Sequence, residues 1–196
     1  ALPGPVRVGV VADPDGRGVH PDVRTAVERA AGVLAETGYQ TEAIDLPRID
    51  ECLAAYGRMI MTEFGLSWEM IRPLLSEAGQ TWIEQSMAKE PPASLADYIQ
   101  TTATRMSLQR DWFELLERYP VVLGPVFTEP PVLTSLATES AAGAATVQQA
   151  MRLVTATTFV GVPAVAVLAA LAGGLPMSVQ VIGQPYREDV CLDVAA

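Results

Sequence analysis

The chain has 196 residues, 49% of them hydrophobic, and a net charge of −10. That length suits one domain with a sizeable core; the sequence shows no basic patch of the kind nucleic-acid binders usually carry, and anionic membrane surfaces would repel so acidic a chain. Two cysteines, Cys52 and Cys191, stand far apart and make no disulfide scaffold.

The opening, ALPGPVRVGVV, lacks a secretory pattern, because proline comes early and the apolar run is short; the expectation is a reducing, cytoplasmic setting. Val6–Val11 reads as a buried strand, and Ala12–Val19 as a loop rich in Asp, Pro and Gly. Pro21–Thr37 is the clearest helix: Val23, Ala26, Val27, Ala30, Val33 and Leu34 recur at i, i+3, i+4 spacing. Asp22 and Glu28 lie toward its positive end, and Gly38 ends it. Gln40–Leu46 alternates as a second strand, so strand, helix and strand predict a parallel βαβ unit. From Ile49 to about Met87 the pattern is helical, with Cys52, Leu53, Tyr56, Met59, Ile60, Glu63 and Phe64 on one face. Glu90-Pro91-Pro92 breaks the helix, and Ser94 is a good N-cap for a long helix to Tyr119. Val121–Val126 reads as a buried strand, Phe127–Val132 as a loop and Glu139–Thr158 as a helix.

Between Arg152 and Arg187 no residue is charged. A membrane helix needs about 20 uninterrupted apolar residues, and here Gly161, Pro163, Gly173, Gly174, Pro176, Gly183 and Pro185 interrupt the run. The segment therefore reads as two strands, Ala164–Leu168 and Met177–Ile182, each apolar enough to be covered on two faces. Glu188–Ala195 is a final helix. The expected fold is α/β: a mixed, mainly parallel sheet of about five strands flanked by helices, with a helical middle segment. Residues 1–196 form one domain, made of a βαβ unit (1–48), a helical segment (49–118) and a strand-rich core (119–196).

Several patterns bear on chemistry. The loop GVVADPDGRG follows a strand and could cradle phosphate, yet it departs from G-x-G-x-x-G, and Asp13 and Asp15 would repel a pyrophosphate. It reads as a tight polar turn. Ser86 and Lys89 match S-x-x-K, which places hydroxyl and amine on one helix face, but no S-D-N or K-T-G accompanies them. His20 is the only histidine, without zinc-ligand spacing or a G-x-S-x-G elbow. Neither cysteine has an activating neighbour, and Glu188 and Asp189 disfavour a thiolate at Cys191. No cofactor and no metal is implied. Gly124–Pro131 follows a strand, where parallel sheets bind ligands, and its prolines make a rigid wall, so this loop is a candidate pocket wall. High apolar content fits either a large core or a surface that meets another segment or partner.

VGVPAVAV followed by GGLPMSVQVIGQPYREDVCL resembles the C-terminal segment of the amidase signature family of serine amidohydrolases, whose pattern is T-x-x-x-N-x-x-G-x-P-A, a strand, then G-L-P-x-G-x-Q-x-I-G. The matching residues are Thr155, Gly161, Pro163, Ala164, Gly174, Leu175, Pro176, Gln180, Ile182 and Gly183; Thr158 stands at the usual Asn and Ser178 at the usual Gly. His20-Pro21-Asp22-Val23, Gly38 and Leu46-Pro47 resemble the family's strand–helix–strand that precedes this segment, and Gly124–Pro131 resembles a stretch bordering its substrate cavity, with Pro125 at the aligned proline and Thr128 near the usual threonine, which makes these two candidate pocket-lining residues. The resemblance implies a serine nucleophile, a relay serine and a lysine base, all upstream of what is seen here. This chain has no Gly-Gly-Ser-Ser-Gly-type loop and a single lysine, Lys89. It is therefore similar to the C-terminal portion of an enzyme that cleaves carboxylic amides through an acyl-enzyme, without metal or cofactor. The implied partners are the N-terminal catalytic half of the same polypeptide and a small amide substrate, with a second copy of the chain as a further candidate; the chain alone is expected to be inactive. In the family the region of Thr155, Thr158, Phe159 and Val160 packs against the catalytic serine loop, so these four join Pro125 and Thr128 as candidate pocket lining. The variable middle tends to set substrate choice. The glutamine-using amidotransferase branch carries an Asp three residues before the Thr; with Thr155 taken as that threonine, Arg152 stands there and argues against glutamine. Two alternatives stand beside this reading: a non-catalytic α/β ligand- or partner-binding module, and a protein like the amidotransferase subunit of the same family.

Overall fold

A computed structural model describes residues 6–196. Five strands, β1 (Arg7–Val10), β2 (Gln40–Ala43), β3 (Val121–Pro125), β4 (Ala164–Ala172) and β5 (Leu175–Gly183), form one sheet in the order β2-β1-β3-β5-β4. β1 pairs in parallel with β2 and with β3, as a βαβ start dictates. β5 is antiparallel to both β3 and β4, so it alone runs against the other four. The sheet is thus mixed and mainly parallel in direction. β4 and β5 join through Gly173 and Gly174, both in the left-handed region (φ 57° and 79°), which a two-residue hairpin with the right twist requires.

Helix α1 (Pro21–Glu36) buries Val23, Ala26 and Val27 against the sheet and packs Ala30 and Leu34 partly beneath it, but Val33, which the periodicity placed on the same stripe, is 53% exposed. With α8 (Glu188–Ala195) it covers one sheet face, where Val8, Val121, Leu123, Val179 and Val181 meet Val27, Val190 and Cys191. The other face lies under α2 (Ile49–Ile71), α4 (Leu95–Arg118) and α7 (Arg152–Val160). There Val122 and Ile182 pack with Cys52, Leu108, Trp112, Leu153, Phe159 and Val160. Trp112 is wholly buried, and its indole N–H donates to the Pro47 carbonyl at 3.1 Å, meeting the requirement that a buried tryptophan find a partner.

Local chemistry sets the helix ends. Ser94 accepts from Asp97 N–H (3.2 Å) and starts α4 where the N-cap reading placed it. The long helical stretch after Ile49 is interrupted: a 3-10 turn at Arg72–Leu74 holds Pro73, and Ser76 then caps α3 (Glu77–Lys89). The single helix expected over Glu139–Thr158 is three: α5 (Leu136–Glu139), α6 (Ala141–Ala150), capped by Ser140 on Gly143 N–H (3.0 Å), and α7, with the break at Met151.

β4 departs from the reading of two strands covered on both faces. β5 is buried from Val179 onward, but among the described residues β4 is the sheet's last strand, and its alternate residues Ala164, Ala166 and Leu168 are exposed, Leu168 by 60%. Only the face carrying Val165, Val167 and Ala169 packs on the core. Among the described residues no helix is long and apolar enough to cross a membrane.

Candidate functional site

The carboxyl ends of β1 and β3 open side by side, and the loops leaving them meet. Val11 N–H donates to Leu123 O (2.8 Å), His20 N–H to Thr128 O (2.8 Å), and Thr128 N–H to Ala150 O (2.9 Å). The loop after β1, the loop after β3 and the end of α6 are thereby stitched together. Between them lies a cavity of about 670 Å³, bordered by Arg17, His20, Thr128, Glu129, Gln149 and Arg152. This is where an open α/β sheet places ligands.

The floor is ionic. Arg152, first residue of α7, is 3% exposed. Its Nε donates to Asp15 Oδ1 (2.6 Å); one terminal nitrogen donates to Thr128 Oγ1 (2.6 Å) and Gln149 O (2.9 Å); the other donates to Asp13 Oδ1 (3.3 Å) and to Gly18 O. A guanidinium has five N–H donors, and five acceptors take them. Arg152 therefore has no donor left for a ligand carboxylate; it is a clamp across three chain segments. Asp15 Oδ2 is buried and has no hydrogen-bond partner among the described residues, with Arg17 Nη1 3.6 Å away.

The glycine-rich loop is a polar turn, as its spacing indicated. Asp13 accepts from Gly16 N–H (3.1 Å) and Gly18 N–H (2.9 Å), occupying two of the backbone donors that a phosphate cradle would use. His20 caps α1, its Nδ1 accepting from Asp22 N–H at 3.3 Å. Ser86 spends its hydroxyl proton on Trp82 O (2.8 Å), inside its own helix. Burial pushes the Cys52 thiol up to about 11. The Cys191 thiol is raised by burial first and then by Glu188 and Asp189. Neither supplies a thiolate near neutral pH. Among the described residues no group of three His, Cys, Asp or Glu is arranged to hold a metal ion.

Of the six residues read as pocket lining, Thr128 borders this cavity. Pro125 is buried at the end of β3, its carbonyl accepting from Gln180 Nε2 (2.9 Å). Gly124 beside it lets α7 approach, since a Cβ there would stand 2.6 Å from Leu153 Cδ2. Thr155 is half-buried and Thr158 exposed on α7. Phe159 and Val160 point their side chains into the core. Their carbonyls accept from Arg105 Nε (2.7 Å) and Gln109 Nε2 (2.8 Å) of α4, which satisfies the orphan acceptors at the end of α7. The Arg105 guanidinium also stands 5.6 Å over the Phe159 ring. The six thus do not surround one cavity.

Sequence reasoning missed the roles of Arg152, Arg105 and Gln109. A signal for Arg152 was present: it is the last charge before thirty-four uncharged residues, and a cation bounding so apolar a run needs a buried counter-charge. Its place in the family pattern also needs correcting. Counted back from Gly161, Thr158 takes the Asn position and Val154 the Thr position, so Thr155 lies one residue off and the acidic position falls on Met151 rather than Arg152. Neither residue is a carboxylate.

Comparison with known proteins bears on these observations. A family model described as Amidase matches residues 1–192. Indoleacetamide hydrolase of Bradyrhizobium japonicum is 31% identical over 199 aligned residues, covering 98% of this chain and 42% of that protein. A glutamyl-tRNA(Gln) amidotransferase subunit of Methanosarcina barkeri is 23% identical, covering 97% of this chain and 44% of its own length. Among solved structures, a bacterial aryl acylamidase of the amidase signature family superposes with a TM-score of 0.73 at 19% identity, over 98% of this chain and 42% of that one, a likeness of fold. The chain spans less than half the length of the curated relatives it matches.

Proposed function

Because the chain belongs to the amidase family, we propose that it is the C-terminal portion of a hydrolase that cleaves carboxylic amides through a serine acyl-enzyme. The nucleophile, relay serine and lysine base then lie in the part of the polypeptide outside this chain, and so do the backbone donors that hold the oxyanion. The observation that carries this reading is the family match over 1–192 in a chain spanning 42% of an indoleacetamide hydrolase. The chemistry of the chain supports the division. Ser86 is bonded within its helix, and both thiols are held protonated by burial. What this portion contributes is the outer wall of the site: the strand end at Pro125, Thr128 on the Arg152 clamp, and α7 with Thr155 and Thr158.

The substrate that fits best is a neutral amide. Arg152 has all five donors engaged, and Met151 carries no charge, so neither supplies a group for the ammonium or carboxylate of an amino acid. This favours an aryl- or alkyl-acetamide over the glutamine of an amidotransferase.

The test compares this chain with the intact polypeptide encoded by the same gene. The intact polypeptide is expected to release ammonia from indole-3-acetamide and to be labelled by a fluorophosphonate, whereas this chain alone does neither. Stoichiometric labelling of Ser86 in the isolated chain would overturn the division of labour.

A further inference from the structure

Most polar side chains around the cavity between the loops after β1 and β3 are already committed within the protein. Arg152 gives all five donors to protein acceptors. Arg17 donates to Asp50 Oδ1 (2.6 Å) and stands 3.6 Å from Asp15, so its charge is matched as well. Thr146 spends its hydroxyl proton on Ala142 O (3.1 Å), and Thr128 Oγ1 takes an Arg152 donor. His20 Nδ1 accepts from Asp22 N–H, which leaves the proton of the neutral imidazole on Nε2 and makes that nitrogen a donor.

Glu129 differs from all of these. It borders the cavity half-buried, and among the described residues its carboxylate has neither a hydrogen bond nor an ion pair. Its place is set by stiff backbone. Thr128 is tied through its N–H to Ala150 O (2.9 Å) and through its carbonyl to His20 N–H (2.8 Å), and Pro130 and Pro131 follow with fixed φ. A carboxylate is an acceptor only, and partial burial without a partner is costly for it. Both cations of the wall are matched to Asp13, Asp15 and Asp50, so the unmatched charge of the cavity is negative. Such a wall repels an anionic ligand and favours one that brings an N–H donor.

We propose that Glu129 is a specificity-determining residue of this site: its carboxylate accepts a hydrogen bond from an N–H on the non-reacting part of the substrate. The preferred amide then carries such a donor and no carboxylate. The inference rests on the amidase-portion reading and narrows its substrate class, from a neutral amide to one whose otherwise apolar body bears an N–H. Val19, Pro21, Ala145 and Ala150 supply the apolar wall for that body.

The test uses the intact polypeptide and two amides of one shape, indole-3-acetamide and benzofuran-3-acetamide, which differ by a ring N–H against a ring oxygen. In wild type kcat/KM is expected to favour the indole by roughly 10- to 100-fold, the discrimination that one hydrogen bond to a charged group supplies. Glu129→Leu should bring the ratio to about one through loss on the indole alone, and Glu129→Gln, which keeps a carbonyl acceptor, should restore part of it. Calorimetric binding of the same pair reads the ratio without turnover. Because Glu129 makes no bond among the described residues, both variants should keep the wild-type melting temperature. Equal kcat/KM and equal Kd for the two amides in wild type would overturn the inference and leave the amidase reading intact. So would a ratio that Glu129→Leu does not change; a melting temperature lowered by several degrees in that variant would then assign the carboxylate to a contact inside the intact polypeptide. Hydrolysis of neither amide would refute the functional reading, and the calorimetric ratio then decides Glu129 by itself, binding of neither amide counting against it.

Discussion

Replacing Arg152 by Met should destabilise the chain more than any surface change, because the clamp is buried at both ends. The Arg152 and Asp15 side chains are 4% and 5% exposed. Removing the cation strands the Asp15 carboxylate, leaves Asp13 short of a partner, and strips donors from Thr128 Oγ1, Gln149 O and Gly18 O. Breaking a buried ion pair from one side costs about 3–5 kcal/mol. For a domain of this size each kcal/mol corresponds to about 2–4 °C in melting temperature, so a fall of roughly 6–20 °C is expected. Urea unfolding followed by the fluorescence of Trp68, Trp82 and Trp112 measures it. Asp15→Asn in the same background separates charge from packing. If the stranded carboxylate dominates, the double variant recovers about 0.5–3 kcal/mol relative to additivity. A loss under about 1 kcal/mol, or strict additivity of the two changes, would refute the clamp and return Arg152 to the role of a free cation at the cavity.

Gly161→Val tests the turn after α7: Gly161 sits at φ 80°, a conformation of order 1–3 kcal/mol unfavourable for a residue with a side chain and worst for a branched one. An unchanged thermal midpoint would show that the turn does not need it. At Arg48, hydrogen bonds to the guanidinium hold the Glu51 and Asp111 carboxyls below their usual values of 4.5 and 3.8. A depressed folded value means the stabilisation is present above the unfolded value and lost as pH falls through the folded one. Wild type should therefore lose urea resistance between about pH 5 and 3 more steeply than Arg48→Met; parallel pH profiles would refute the link.

Much of the fold follows from short-range chemistry and was legible in the chain. The i, i+3, i+4 stripe of α1, the Ser94 cap, Pro91-Pro92 as a stop and Gly173-Gly174 as a hairpin tip each involve residues within a few positions of one another. The family resemblance was legible for a related reason: Gly161, Pro163, Gly174 and Pro176 are backbone requirements of the turn and hairpin, written into residue identity. The breaks at Pro73 and Met151 were also local, but a shared apolar period ran through them and hid them.

The candidate site was another matter. Its floor joins Arg152 to Asp13 and Asp15, 139 and 137 positions away. No periodicity connects such residues; they meet only because β1 and β3 are neighbours in the sheet and α7 lies across β3. Phe159 and Val160 lie beside Thr158 in sequence, yet the turn of α7 sends their side chains to the core and leaves Thr158 outside. β4 and β5 are equally apolar strings, and sequence alone made both interior strands. Strand order decided that β5 lies between two partners and β4 at an edge. Burial belongs to a residue's neighbours as much as to its own side chain, and only the tertiary structure supplies the neighbours.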